Sequence, residues 1–459
     1  MFKGVSTMTC SDGKFDVVIV GGGAGGYTAA LTVKKLYPDI SVLLVRKDSY
    51  ALIPCAIPYL CATIEACNRN LLPDAPLKKA GVEILIDEVV DIDLTNKLVK
   101  TAEGREIGYG KLILATGSSP VVPRSIKGTD LEGVYTVVKS FKAMERLQDA
   151  VRKAERITIV GGGFIGVEFA DDLANLKKKI TIVELLPHCL MLNFDEEFAV
   201  EAEDELRAKG VDVITNARVE SIVGDGKVEA VRLADGREIP SDVVIMAVGA
   251  RPNSELAKKA GLKIGERGAI VVDEYMRTSN PDVLAVGDCA EKRSFFTGKP
   301  VNLMLASIAC YEARVAGINL FDIRIPKPIR GVVGIFLTYI NGKAFGAAGL
   351  TESMARREGF QVESSVVKVP NRHPGILPGA RETKLKLVFS KQSGLLLGAE
   401  ASGGEDVAEL VNFLGLAIQN RMNAKEISIL QYGTQPFLTP SPVGYPPVVA
   451  ALNTVKFEQ

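Results

Sequence analysis

Short runs of β-branched residues recur along the chain, each followed by a turn and then by small apolar residues at helical spacing. The run at 17–20 (VVIV) ends in glycines, passes into such a stretch, and is followed by a second apolar run at 41–45 (SVLLV). The same order returns at 156–173 (RITIVGGGFIGVEFADDL) and 179–184 (KITIVE). Each copy predicts strand, tight turn, helix and strand. Further apolar strands are expected within 111–120 (KLILATGSSP), 242–253 (DVVIMAVGARPN) and 278–291 (TSNPDVLAVGDCAE), each ending in small residues. Beyond the Pro-rich joint at 323–331 the pattern changes. Alternating runs such as KLKLVFS and GLLLGAE predict an antiparallel sheet. The stretch 407–420 (VAELVNFLGLAIQN) predicts an apolar helix, suited to a subunit interface or to a core within one chain.

The repeated unit carries chemistry. Gly21, Gly23 and Gly26 in the first copy, and Gly161, Gly163 and Gly166 in the second, spell G-x-G-x-x-G between a strand and a helix. The first glycine makes the turn, the second lets backbone approach a pyrophosphate, and the third lets helix pack on strand. The helix N-terminus then offers free N–H groups to the phosphates. Two dinucleotides are expected. The acidic residue that reads the ribose, ~20 positions on, is Glu184 in the second copy, followed by Leu185, Leu186 and Pro187 rather than by an arginine. A carboxylate there repels a 2′-phosphate, so NADH is expected over NADPH. In the first copy the place is taken by Arg46, with Asp48 two residues on, and the adenosine contact stays open.

Composition narrows the classes. At 459 residues, a prior of about 150 per domain gives roughly three domains. Apolar residues at 47% and charged residues at 24% are ordinary for a globular protein. Lys+Arg 55 balance Asp+Glu 55, which disfavours a nucleic-acid partner. No run reaches the ~18 apolar residues of a membrane helix, and residues 1–14 read as a flexible polar extension without an apolar leader core. The seven cysteines (Cys10, Cys55, Cys61, Cys67, Cys189, Cys289 and Cys310) are odd in number and contain no C-x-x-C, so a reducing cytoplasm is expected. With only His188 and His373 besides, no metal site is expected.

The ordered set of two G-x-G-x-x-G units, A-T-G at 115–117 and T-S-N-P-D-V-L-A-V-G-D resembles the FAD-dependent pyridine nucleotide-disulfide oxidoreductase superfamily. The resemblance implies an α/β fold with two Rossmann-like domains, for FAD and NAD, plus a C-terminal α+β interface domain with an antiparallel sheet. The divisions expected are 15–124 (FAD domain), 125–251 (NAD domain), 252–327 (FAD domain, continued) and 328–459 (dimerisation domain of a homodimer). By the same resemblance Gly21, Gly23, Gly26 and Asp288 touch FAD, whereas Gly161, Gly163, Gly166 and Glu184 touch NAD(H). The cofactor-binding set extends to Ala24, Arg46, Ala115, Thr116, Gly117, Ile165, Gly249 and Ala306. Glu168 lies near the nicotinamide, and Phe164 is an aromatic gate over the flavin or a packed core ring.

The cysteines choose the branch. The C-x-x-x-x-C pair of the dithiol enzymes is absent, while Cys55-Ala56-Ile57-Pro58-Tyr59 resembles the Cys-Gly-x-Pro-Tyr of the single-cysteine branch: coenzyme A disulfide reductase, NADH oxidase, NADH peroxidase and polysulfide reductases. Cys55 precedes Pro58 and a helix-like stretch ending near Asn68. It is therefore expected just before a helix N-terminus, whose dipole lowers a thiol pKa. A Cys55–Cys61 disulfide stays open. In 431–442 the interface His and Glu of the dithiol enzymes are replaced by Gln435 and Pro440, and in 372–380 a Tyr-Tyr pair is replaced by Ile376 and Leu377. The proton donor is then Tyr432, with Tyr445, His373 or water as alternatives. Ala24 stands where peroxidases and many oxidases of the branch carry a histidine, which counts against dedicated oxygen or peroxide reduction. The expected activity runs from NADH through FAD and Cys55 to a small-molecule disulfide, persulfide or polysulfide. An NADH oxidase reducing oxygen is the alternative, and a low-turnover redox-binding or sensing module is a further one.

Overall fold

The computed structural model describes residues 13–326 and 329–455. Most of the expected N-terminal extension, and residues 327 and 328 of the Pro-rich joint, lie outside the described residues, as does Cys10. The run 17–20 becomes the strand Lys14–Val20, in which Val17, Val18 and Ile19 are fully buried. It pairs in parallel with Val42–Arg46 on one side and with Glu106–Leu114 on the other, inside a seven-stranded sheet. A strand buried on both faces needs a continuous apolar run, as here. Val283–Ala285 adds in parallel to Glu106–Leu114, so the segment near Asp288 returns to the first sheet. The helix Ala24–Leu36 packs on the helix Ala306–Ile318 through small residues, Gly25 meeting Ala309 and Gly317 meeting Thr32.

The second copy builds a separate five-stranded sheet, wholly parallel, with Arg156–Val160 between Lys179–Val183 and Val243–Met246. Its helix is Phe164–Ala174. The last sheet is antiparallel, in the order Ile335–Ile340, Lys343–Gly349, Leu396–Gly403, Glu382–Ser390 and Val362–Pro370. The apolar helix Val407–Gln419 lies on it and buries Val407, Val411, Leu414 and Ile418. Thus 407–420 forms core within the chain, while Leu416 on its other side stays exposed. Among the described residues no helix is long and apolar enough to cross a membrane, and no group of three or more His, Cys, Asp or Glu is placed to hold a metal.

Candidate active site

The two glycine turns are near copies. Gly21 and Gly161 have φ of +113° and +109°, and a Cβ on either would run into the carbonyl of Ala115 or Ala247, at the end of the neighbouring strand. A Cβ on Gly26 or Gly166 would strike the carbonyl of Gly21 or Gly161. By contrast, Gly23 and Gly163, the N-caps of the two helices, have nothing within 4 Å of that position. Each turn is therefore closed below and open above, which fits a pyrophosphate lying on the helix start. Ala24 and Ile165 stand at these helix starts, and Ile165 is exposed. Gly117 and Gly249, both at positive φ, are likewise open. Thr116 and Asn253 tie the two strand-to-linker segments together, the hydroxyl donating to the Asn253 carbonyl at 2.6 Å and the amide returning a bond at 3.0 Å. Ala306 begins the helix Ala306–Ile318.

Glu184 and Asp288 are held by contrasting partners. Glu184 follows its strand and accepts the N–H groups of Gly162 and Leu186, keeping the carboxylate beside the second glycine turn. Asp288 is largely buried in the one-turn helix Gly287–Cys289 and accepts from Ser118 Oγ (2.7 Å) and Lys139 Nζ (2.7 Å). Burial opposes its ionisation, yet the Lys139 charge and these hydrogen bonds outweigh it and hold Asp288 below the ordinary carboxylate range. The turn itself is fixed from behind. The buried Glu312 accepts from the Gly287 N–H at 2.7 Å, and Lys292 donates to the Ala290 carbonyl at 3.0 Å.

The reading of Cys55 needs correction. Pro54–Tyr59 is a single six-residue 3₁₀ helix with Pro54 at its start, so Cys55 lies inside a short turn instead of preceding a longer helix. No helix runs on from Pro58 to Asn68. The chain turns after Tyr59 and forms only the short Cys67–Arg69 helix before Asn70. Pro58 occupies the interior of the 3₁₀ turn, where its missing N–H discourages continuation. The thiol is pushed up, not down: burial comes first, then the Glu168 charge, with Cys310 and Asp288 adding and Lys139 opposing. Cys55 keeps an exposed face even though the chain packed around it partly desolvates the thiol, and all six described cysteines are free, so Cys55 and Cys61 form no disulfide.

Glu168 lies on the second glycine-motif helix and accepts from Thr338 Oγ1 of the C-terminal sheet at 3.0 Å. Burial pushes its carboxyl up to about 7, the Thr338 bond acting the other way. The structure thus gathers Cys55, Glu168, Lys139 and Asp288 into one electrostatic neighbourhood from separate stretches of the chain. Phe164 stacks on Phe336 at 5.3 Å and 9°, and meets Phe194, so its ring sits in an aromatic contact between two domains. Tyr432 stays in the C-terminal loop, donating to the Pro442 carbonyl at 2.6 Å and stacking on Tyr445 at 3.9 Å. His373 is in the same region, its Nδ1 2.9 Å from the Thr439 carbonyl. Neither joins the Cys55 cluster within this chain. Sequence reasoning missed Lys139, Ser118, Asn253 and Thr338. Each works through contacts distant in sequence; Ser118 and Asn253 lie in the strand-ending runs 111–120 and 242–253, but no local pattern marks them out there.

Comparison with known proteins gives this fold a family. Residues 15–313 match the family described as "Pyridine nucleotide-disulphide oxidoreductase", and residues 338–443 match its dimerisation domain. The chain is 33% identical over 426 residues to an NADH oxidase of Methanocaldococcus jannaschii, spanning 90% of this chain and 93% of that protein. It is 33% identical over 456 residues to a CoA-dependent NAD(P)H sulfur oxidoreductase of Pyrococcus furiosus, spanning 97% and 100%. The solved structure of an NAD-dependent persulfide reductase from A. fulgidus superposes with a TM-score of 0.88 at 35% identity, covering 95% of this chain and 82% of that one. With FAD and NAD(P)H as the family's cofactors and two glycine cradles to receive them, the chain belongs to the pyridine nucleotide-disulphide oxidoreductases and is an NAD(P)H-dependent flavoprotein oxidoreductase.

Proposed function

We propose that this enzyme reduces a small-molecule disulfide, persulfide or polysulfide with NADH, using Cys55 as the thiol that receives the substrate sulfur. The observation that carries the reading is the position of Cys55: an exposed thiol in the electrostatic reach of Asp288 from the first dinucleotide unit and Glu168 from the second. The names of the P. furiosus and A. fulgidus relatives point to the same acceptor class. FAD, when bound, relays an electron pair from NADH to sulfur. Cys55 thiolate attacks one sulfur of the substrate, the S–S bond breaks, and the other sulfur leaves as a thiolate that takes a proton. Two electrons then split the new bond at Cys55, restoring its thiolate and releasing the second sulfur as a thiolate that is also protonated. Lys139 favours the thiolate, while Glu168 and burial oppose it. Tyr432 is the proton donor, acting across a homodimer built on the C-terminal domain. Glu184 rejects the 2′-phosphate, so NADH is the preferred donor.

An NADH oxidase reading is favoured by the name of the M. jannaschii relative. One experiment separates the two. The purified enzyme is reduced anaerobically with NADH, and CoA disulfide, polysulfide and oxygen are added in separate cuvettes. Sulfur reduction predicts fast flavin reoxidation by a sulfur acceptor and slow reoxidation by oxygen. Cys55→Ser should keep NADH-to-flavin reduction and lose sulfur turnover by at least ~10²-fold. A serine variant with full sulfur turnover ends the proposal, and fast reoxidation by oxygen alone selects the oxidase.

A further inference from the structure

Strand register makes Arg46 and Glu184 counterparts. In the first sheet Val20 pairs with Val45, and in the second Val160 pairs with Val183, so the next residues, Arg46 and Glu184, occupy one position in the two copies. Each lies against the glycine that directly follows the turn glycine, Gly22 in the first cradle and Gly162 in the second. A Cβ on Gly22 would come 2.7 Å from Arg46 Cδ, and one on Gly162 would come 2.9 Å from Glu184 Oε2. The place that reads a ribose therefore bears opposite charge in the two halves of one chain.

Arg46 is fixed as firmly as Glu184. Its side chain is only 6% exposed. Nη1 and Nη2 donate to the two oxygens of Asp74, each at 2.8 Å, and Nη2 also donates to the Ser49 carbonyl at 2.8 Å. Of the five N–H groups of the guanidinium, three are used and two are left over, one on Nη1 and the one on Nε. Nε, bonded to the very Cδ that lies closest to Gly22, is buried and has no hydrogen-bond partner. An orphaned donor of a charged group is costly unless something accepts from it.

We propose that Arg46 Nε–H donates to a ribose hydroxyl of the adenosine half of FAD in the first cradle, with Asp74 as the positioning residue that holds the guanidinium. The inference rests on the reading that FAD occupies this cradle. It makes the ribose an acceptor at the first site, whereas the carboxylate of Glu184 makes it a donor at the second.

The test is binding, read by fluorescence, of FAD and of FMN, which lacks the adenosine, to the full-length protein after flavin removal. Wild type should bind FAD far more tightly than FMN. Arg46→Gln should weaken FAD about tenfold, the scale of one charge-assisted hydrogen bond, and leave FMN unchanged. Because Arg46→Gln strands Asp74, the double variant Arg46→Gln/Asp74→Asn serves as a second arm with the same expectation. If FAD and FMN weaken together, Arg46 is a structural anchor and the proposal is overturned. Unchanged FAD binding overturns it too. A wild-type protein that does not prefer FAD over FMN would instead remove the underlying assignment of FAD to this cradle.

Discussion

Thr338 Oγ1 donates to Glu168 Oε1 across 3.0 Å, joining the first strand of the C-terminal sheet to the helix of the second glycine motif. Burial drives Glu168 up to about 7, and this bond pulls the other way. Thr338→Val should therefore move Glu168 to still higher pH. Stopped-flow reduction of the flavin by NADH is expected to show an inflection near pH 7 that shifts upward in Thr338→Val and disappears in Glu168→Gln. An inflection that stays in place in both variants would assign it to another group.

Lys139 and Glu168 act on Cys55 with opposite sign. Lys139→Met removes a stabilising cation, so the thiol rises further and less thiolate is present at a fixed pH. Alkylation of Cys55 by iodoacetamide at pH 8 should slow by about threefold, an effect of well under 1 kcal/mol at high effective dielectric. Glu168→Gln should speed it by a similar factor. Rates that move in the same direction in both variants would contradict the electrostatic account.

Asp172 anchors the turn that follows Cys55. Its buried carboxylate accepts from the N–H groups of Ala62 (2.9 Å) and Thr63 (3.0 Å) and from the Thr63 hydroxyl (2.6 Å). Asp172→Ala leaves these donors without their acceptor, at a cost of about 2–4 kcal/mol. The expected readouts are a lower Tm and faster proteolysis in the 60–66 segment. A Tm within a degree of wild type would show that the turn is held by its apolar contacts alone.

Those apolar contacts explain where the sequence was legible and where it was not. The glycine turns, the central strands and the antiparallel C-terminal sheet follow from local pattern, because two-sided burial needs unbroken apolar runs and the cradles need glycine at fixed places. The Cys55 segment follows no local rule. Leu52, Ile57 and Leu60 belong to the first dinucleotide unit in sequence, yet they pack in one core with Met144, Leu147 and Phe169 of the second and with Ile340 and Phe345 of the C-terminal sheet. That tertiary packing, with Pro58, holds a 3₁₀ turn where the pattern implied a helix, and it leaves Cys55 exposed but partly desolvated beside Glu168, which raises a thiol that a helix start would have made acidic. Lys139 and Thr338 were invisible for the same reason, since each meets its partner only across a domain boundary, and Asp74 was invisible because it meets Arg46 through a contact 28 residues away in the chain.

The seam between the second dinucleotide domain and the C-terminal domain is an ion cluster with a definite acid weakness. Lys386, buried in the C-terminal sheet, donates to Asp195 Oδ2 at 2.8 Å and to Glu197 Oε1 at 2.7 Å, while Asp195 also accepts from the N–H groups of Glu352 and Ser353. Burial works against the Asp195 charge, but the contact with Glu400, Lys386 and Ser353 together hold its pKa below the ordinary range. A carboxylate with a depressed folded pKa stabilises the fold at pH values above its unfolded pKa, ~3.9, and loses that contribution as pH falls through the folded value. Lys386→Met leaves these carboxylates without their cation, which should cost about 3–5 kcal/mol at pH 7. The deficit should shrink as pH drops below about 4, since wild type is then losing the same interaction. Tm measured from pH 7 down to 3 in both proteins tests this. A constant gap across that range would mean that Lys386 contributes by packing rather than by charge.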